Sequence, residues 1–332
     1  MITIHKDPGR DFIILNLTDP QMNNAEWEEG HPHRRTLEYT LAELVERTRP
    51  DLITVSGDLA WAGEDHSYRM LMRLLDSFGI PWAPVWGNHD NQKGAEYTEF
   101  LADLALSHKN CVYEKGDPVL GNGNYIISVE EAGKPVTAVF MMDSHDRAPF
   151  TNAQGETSEV WAKLWPQQLD WYREQVTALQ KDGCNDTLLV THIPIYAYRN
   201  ASKAAYKNDV NLSSISLQMA NGSDVWNNGY TDSVGVQYED IGSYVHDDGV
   251  LEILKHSEIA HHVICGHDHV NNWKICYEGI NLIYSLKTGA GCYWDPTLNG
   301  GTVLKINDTG IYDVEDVFID VSHLIQGNTV DS

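Results

Sequence analysis

Short, almost wholly apolar runs alternate with longer segments of helical periodicity through the first third of the chain. The runs at 12–17, 52–56 and 82–86 are bounded by Gly, Pro, Asp or Asn, the pattern of strands buried on both faces. Segments 35–48, 65–78 and 95–106 repeat apolar positions at helical spacing. Residues 124–129 and 136–142 predict an antiparallel pair. Pro166 opens a helix over 167–179, at the first turn, where a missing N–H costs least. Further strands are predicted at 188–191, 260–265, 273–277, 280–285, 302–306 and 310–319. The rhythm breaks at 200–249, a polar Gly-, Asn- and Ser-rich stretch that reads as a long insertion beside the site. A polar tail follows at 321–332. Strands and flanking helices on this scale predict one α/β domain over 1–320, its sheets packed between helical layers.

Composition narrows the partners. With 42% hydrophobic residues, ten Trp and sixteen Tyr among 332, the chain fills a core easily, which excludes intrinsic disorder. It carries 23 basic against 48 acidic side chains, a net charge of −25. A field of that sign repels polyphosphate backbones and anionic lipid, so duplex nucleic acid and membranes are poor partners. No apolar run approaches the roughly 20 residues needed to span a bilayer. Residues 1–10 hold no apolar signal-peptide core. The five cysteines (Cys111, Cys184, Cys265, Cys276, Cys292) are odd in number and lack C-x-x-C spacing, as in a reducing compartment. The expectation is a cytoplasmic protein.

The chemistry gathers at the carboxyl ends of the apolar runs. There the sequence places Asp19-Pro20-Gln21, Gly57-Asp58, Gly87-Asn88-His89-Asp90, His192 and Gly266-His267-Asp268-His269. In α/β sheets ligands bind beyond these strand ends. Oxygen and nitrogen donors converging from separate strands suit a pair of divalent metals.

This ordered set resembles the calcineurin-like metallophosphoesterase superfamily over about residues 12–270. The stretches 266–271, 283–289 and 300–304 are similar to a subgroup with purple-acid-phosphatase-like proteins and certain fungal and plant phosphatases. The resemblance implies a four-layer α/β/β/α sandwich with mixed sheets. It also implies dimetal hydrolysis of a phosphate ester by a metal-bridging hydroxide. Asp58 would bridge two divalent ions (Mn²⁺, Fe or Zn²⁺); Asp19 and His269, with Gln21 nearby, would complete one, and Asn88, His192 and His267 the other. His89 would serve the leaving group as acid or hydrogen-bond donor, with Asp90 orienting its imidazole. A phosphomonoesterase on a small or locally recognised substrate leads. A phosphodiesterase, for instance of cyclic nucleotides, is the alternative, and a degenerate binding scaffold is the rival of another class.

Two positions depart from the family. Gln21 stands where the first motif usually has His, so that ion should bind more weakly and favour Mn²⁺, Fe or Mg²⁺ over softer ions. Trp61 stands where purple acid phosphatases have an iron-ligating Tyr, so no coloured Tyr–iron site is expected. Trp61 and Trp294 are candidates to line the cleft and stack on a substrate. Simpler roles fit other residues. His31-Pro32-His33 reads as a solvated loop, Asp143–Asp146 as structural with substrate contact open, and Trp161, Trp165 and Trp171 as core aromatics on or near a helix. Neither His261 nor His262 is a candidate ligand.

Overall fold

The computed structural model describes residues 1–205 and 235–325. Much of the predicted insertion and most of the tail therefore lie outside the described residues. In chain order the elements are β1 (Ile2–Lys6), β2 (Phe12–Leu17), α1 (Pro32–Thr48), β3 (Leu52–Ser56), α2 (Asp65–Ser77) and β4 (Trp82–Val85). Then come α3 (Asn88–Asn91), α4 (Ala95–Leu106), β5 (Tyr125–Glu131), β6 (Lys134–Met141), β7 (Arg147–Thr151), β8 (Thr157–Trp161) and α5 (Pro166–Lys181). The chain continues through β9 (Asp186–Val190), α6 (Ala197–Ala205), α7 (Val250–Lys255) and β10 (Ala260–Cys265). It closes with β11 (Lys274–Tyr277), β12 (Ile280–Tyr284), β13 (Gly300–Ile306) and β14 (Ile311–Phe318).

Two mixed sheets form, one ordered β1-β5-β6-β9-β10-β12-β11 and the other β14-β13-β2-β3-β4. Parallel pairs lie at their centres: β9 with β6 and β10, and β3 with β2 and β4. Side-chain alternation along the larger sheet sets the layers. Val139, Leu188, Ile264 and Ile283 face inward to the smaller sheet, in the same apolar cluster as Leu41 of α1, Leu71 of α2 and Leu101 of α4. Their neighbours Phe140, Leu189, Val263 and Leu282 face outward to Tyr172 of α5, Tyr198 of α6 and Leu254 of α7. Each sheet is covered on both faces, and each such buried Leu or Ile contributes about 1.5–3 kcal/mol. This is the four-layer α/β/β/α sandwich expected.

The structure differs from the pattern at its margins. β1 pairs only with β5 and alternates exposed and half-buried residues, so it lacks the apolar run of a central strand. The hairpin β7–β8 is a separate two-stranded ribbon with mixed side chains, where only loop and the approach to a helix were expected. Helix α1 begins at Pro32, so His31 and His33 are not loop residues. His31 caps the helix, its Nδ1 accepting from the His33 N–H at 3.2 Å, and His33 Nδ1 lies 2.9 Å from Glu26. Helices α6 and α7 also went unpredicted, both within or bordering the polar stretch. No described helix is long and apolar enough to cross a membrane.

Candidate metal centre

Both sheets deliver side chains to one point beyond their strand ends. Asp19 follows β2, Asp58 follows β3, and Asn88 starts α3 just after β4; His192 follows β9, and His267 and His269 follow β10. The glycines ahead of them are needed for close approach. A Cβ at Gly87 would stand 2.2 Å from Asp58 Oδ1, and one at Gly266 would stand 1.8 Å from Thr18 Oγ1. Asp19, Gln21, Asp58 and His267 have φ of 52°, 41°, 49° and 76°, the left-handed region that non-glycine residues enter at a cost of about 1–3 kcal/mol each. That strain persists only where the surroundings enforce it. Here the Asp19 N–H donates to the Gly57 carbonyl and the Gln21 N–H to the Asp58 carbonyl, locking the two loops together.

The seven predicted donors converge. His192 Nε2 lies 3.3 Å from Asp58 Oδ2, 3.0 Å from Asn88 Oδ1 and 3.9 Å from Asp19 Oδ1. His269 Nε2 lies 3.2 Å from Asp19 Oδ1. His267 packs with its ring centroid 5.1 Å from that of His192, and its N–H donates to Asp19 Oδ2 at 3.0 Å. Two imidazoles are turned by their far nitrogens. His192 Nδ1 donates to the Ser56 carbonyl and His269 Nδ1 to the Tyr293 carbonyl, each at 2.8 Å, which leaves both Nε2 atoms facing the carboxylates.

Two oxygens in this cage have no hydrogen-bond partner although fully buried: Asp19 Oδ1 and Gln21 Oε1. Buried polar atoms are normally satisfied. Asp19, Asp58 and His192 present ligand atoms within 4.8 Å of one another, so the donor set fits a bound cation. The electrostatics agree. Burial pushes Asp19 up, but the imidazoles of His269 and His192 outweigh it and hold it below the usual carboxylate range. Asp58 is held low in the same way, chiefly by His192. Burial opposes charge on His192 as well, yet Asp58 and then Asp19 lift it to about 10. Burial and His192 lower His267 to about 3, which keeps it neutral.

His89 presents its ring to the cleft, with Nε2 3.9 Å from Asp58 Oδ2, its N–H on Asp58 Oδ1 at 2.9 Å, and a buried Nδ1 without a partner. Asp90 does not orient that imidazole, which corrects the expectation. Its oxygens accept from the Gly87 N–H (2.7 Å), the Leu59 N–H (3.2 Å) and the Tyr68 hydroxyl (2.7 Å). It braces the loops that carry Asp58 and Asn88, and burial followed by Asp58 raises it to about 7.

A cleft of about 250 Å³ opens over the site, lined by Gln21, Asp58, His89, His267 and His269 on its floor. Its walls hold residues the sequence did not single out. Glu239, Asp240 and Gly242 come from the stretch read as insertion, Trp161 from β8, and Tyr293 from the loop before β13. Tyr293 stacks on His269 with centroids 4.1 Å apart and donates its hydroxyl to Glu239. Its neighbour Trp294, expected in the cleft, packs against the core instead. Trp61 meets the His89 ring edgewise at 4.3 Å. Trp161 meets His267 in the same way at 4.3 Å, whereas it was expected in the core. The signal for Tyr293 was one residue away, in the same Gly-rich loop; the signal for Trp161 was the turn at Gly155.

A family model for calcineurin-like phosphoesterases matches residues 12–271. The chain is 27% identical over 282 residues to "Probable inactive purple acid phosphatase 28" of Arabidopsis thaliana, covering 77% of this chain and 62% of that protein. It is 22% identical over 329 residues to "Phosphatase DCR2" of Saccharomyces cerevisiae, covering 93% of this chain and 52% of that one. The chain thus spans about half to three fifths of the length of these relatives. Among solved structures, a dimetal phosphatase from Danio rerio matches with a TM-score of 0.54 at 14% identity, over 92% of this chain and 98% of that one. That likeness speaks for the fold.

Proposed function

Because the chain belongs to the calcineurin-like phosphoesterase family, we propose that it hydrolyses phosphate esters, phosphomonoesters above all, at a centre for two divalent cations. The observation that carries this reading is the pair of buried, unpartnered oxygens on Asp19 and Gln21 beside Asp58 and His192. Asp58 would be shared between the two cation positions, with Asp19, Gln21 and His269 available to one ion and Asn88, His192 and His267 to the other. Such a pair would supply charge neutralisation for the phosphoryl group and a more acidic water at neutral pH. The mixed oxygen and imidazole donors suit Mn²⁺, Fe or Zn²⁺, and the Gln21 amide shifts its ion toward Mn²⁺, Fe or Mg²⁺.

The chain's own residues do the rest. His192 and His269 are fixed in one tautomer by backbone carbonyls, so their lone pairs are preset for ligation. His89, anchored through its N–H to Asp58, delivers a proton to the leaving oxygen. The local positive charge sits inside a protein of net charge −25, which slows the approach of highly charged polymers and favours a small substrate.

The test is metal analysis and kinetics on the Mn²⁺-loaded protein with p-nitrophenyl phosphate and bis-p-nitrophenyl phosphate. Two ions per chain, faster monoester turnover and a loss of about 10²-fold in His89→Ala with metal content kept are expected. Equal activity in the variant removes His89 from the chemistry, and faster turnover of the diester makes the protein a phosphodiesterase. Fewer than one ion per chain favours the binding scaffold, the reading that a relative named as inactive supports.

A further inference from the structure

The hairpin β7–β8 places an arginine, which no other part of the site uses, over an aromatic ring that lines the cleft. Arg147 and Trp161 are directly opposite in its register, and the guanidinium carbon lies 3.4 Å from the centroid of the Trp161 ring. Trp161 in turn touches His267 and lines the cleft. The neighbouring carboxyl, Asp146, is raised by burial, drawn down by Arg147 and His89 and pushed up by Asp58, so this strand start lies within electrostatic reach of the His89 side of the site. The far end of the hairpin rests on the segment that closes the other wall, Phe150 meeting His246 with centroids 5.0 Å apart.

The Arg147 side chain is exposed; it lies over the Trp161 ring and feels the neighbouring Asp146 carboxyl, and among the described residues its guanidinium forms no ion pair within 4.0 Å. Stacking on Trp161 fixes the plane of the guanidinium and leaves its in-plane N–H donors free. That fork matches a carboxylate or phosphate in bidentate fashion. Glu239 and Asp240, which also line the cleft, repel an anion and so favour its approach on the Arg147 side.

We propose that Arg147, held over Trp161 beside the cleft, is a specificity residue that binds an anionic group on the leaving portion of the substrate. Preferred substrates are then phosphate esters whose alcohol carries a carboxylate or a second phosphate. The inference rests on the phosphoesterase reading and names the substrate class of that site.

The experiment uses 4-carboxyphenyl phosphate and 4-carbamoylphenyl phosphate, which are alike in size and differ in charge. The ratio of their kcat/KM values is measured on the Mn²⁺-loaded wild type, Arg147→Gln and Arg147→Lys. Arg147→Gln lowers the carboxy-to-carbamoyl ratio by about tenfold, mainly through KM of the carboxylate ester, and Arg147→Lys lowers it less. Trp161→Leu, which removes the platform, also lowers it. An unchanged ratio with both esters hydrolysed overturns this inference alone. So does an equal loss on both esters, which assigns Arg147 to the scissile phosphoryl group. Hydrolysis of neither ester by the wild type overturns the phosphomonoesterase reading and this inference with it.

Discussion

Two clusters of carboxylate and imidazole lie at opposite ends of the larger sheet, one fully buried and the other with His261 partly exposed. At the amino ends of β9 and β10, Asp186 faces His261 Nδ1 at 3.1 Å and His262 Nε2 at 3.2 Å. The same carboxylate accepts from the Thr187 and Ile311 N–H groups, each at 2.9 Å. Both of its oxygens are satisfied. At the carboxyl ends of the same strands, Asp19 Oδ1, Gln21 Oε1 and His89 Nδ1 are buried without a hydrogen bond, Asp19 Oδ1 facing only the imidazoles of His269 at 3.2 Å and His192 at 3.9 Å, on backbone held partly in the left-handed region. An unsatisfied buried polar atom costs about 1–3 kcal/mol. The same residue types therefore make a fastener at one end and a binding site at the other. What separates them is incomplete hydrogen bonding, which composition cannot reveal.

Matched substitutions give the widest separation. Asp58→Asn removes the carboxylate proposed to serve both cation positions, and turnover of p-nitrophenyl phosphate should fall about a thousandfold as several kcal/mol of charge stabilisation is lost. Bound Mn²⁺ should fall with it. Asp186→Asn should leave the metal content of the folded protein intact but cost about 3 kcal/mol of stability, because two imidazoles lose a buried partner. Calorimetry in EDTA, elemental analysis and kinetics on both variants check this. The contrast collapses if Asp186→Asn empties the metal centre, or if Asp58→Asn unfolds the protein while keeping its metal.

The pH responses of the two ends should diverge by a smaller but still large factor. In the metal-free protein His192 sits near 10, so between pH 6 and 8 it carries a proton that a cation must displace. Affinity for that ion should rise by up to tenfold per pH unit, about a hundredfold over that range. Titration with Mn²⁺ at pH 6, 7 and 8 measures the slope, and a flat response would mean that His192 is no ligand. Gln21→His should then tighten the other position by about tenfold, more for Zn²⁺ than for Mn²⁺. Unchanged affinity and stoichiometry would remove Gln21 from the ligand set.

Why one end was legible from the chain and the other was not follows from how each is built. β2, β3, β4, β9 and β10 are buried on both faces and write themselves as apolar runs, and Asp19, Asp58, Asn88, His192 and His267 stand where those runs stop. The walls of the cleft come from elements without that signature. Arg147 and Trp161 sit on a half-exposed ribbon, and Glu239, Asp240 and Tyr293 on irregular loops placed only by tertiary contacts. Adjacency in sequence also misled. Asp90 follows His89, but in the turn of α3 its carboxylate points to Gly87, Leu59 and Tyr68. His261 and His262 reach one carboxylate because the register of β10 against β9 shifts between Ala260 and His262 and Asp186 offers an oxygen to each.

The fastener should respond to pH in the opposite sense and far more weakly. The hydrogen bond from Asp186 raises His261 above its ordinary value of about 6.5, against a smaller effect of burial. A group raised on folding stabilises the protein fully below its unfolded pKa, and that contribution is lost as pH rises through the folded pKa. Asp186 is itself held low, burial being outweighed by the two imidazoles, so its contribution is present above about pH 4 and lost only in acid. Between those limits His261 gives this cluster a slope. Its ring is partly exposed, which screens the pair to a fraction of a kcal/mol. Melting of His261→Asn in EDTA should therefore fall slightly below the wild type at pH 6 and converge with it by pH 8 to 9. A difference that grows with pH would reverse the assignment and make His261 a group that folding deprotonates.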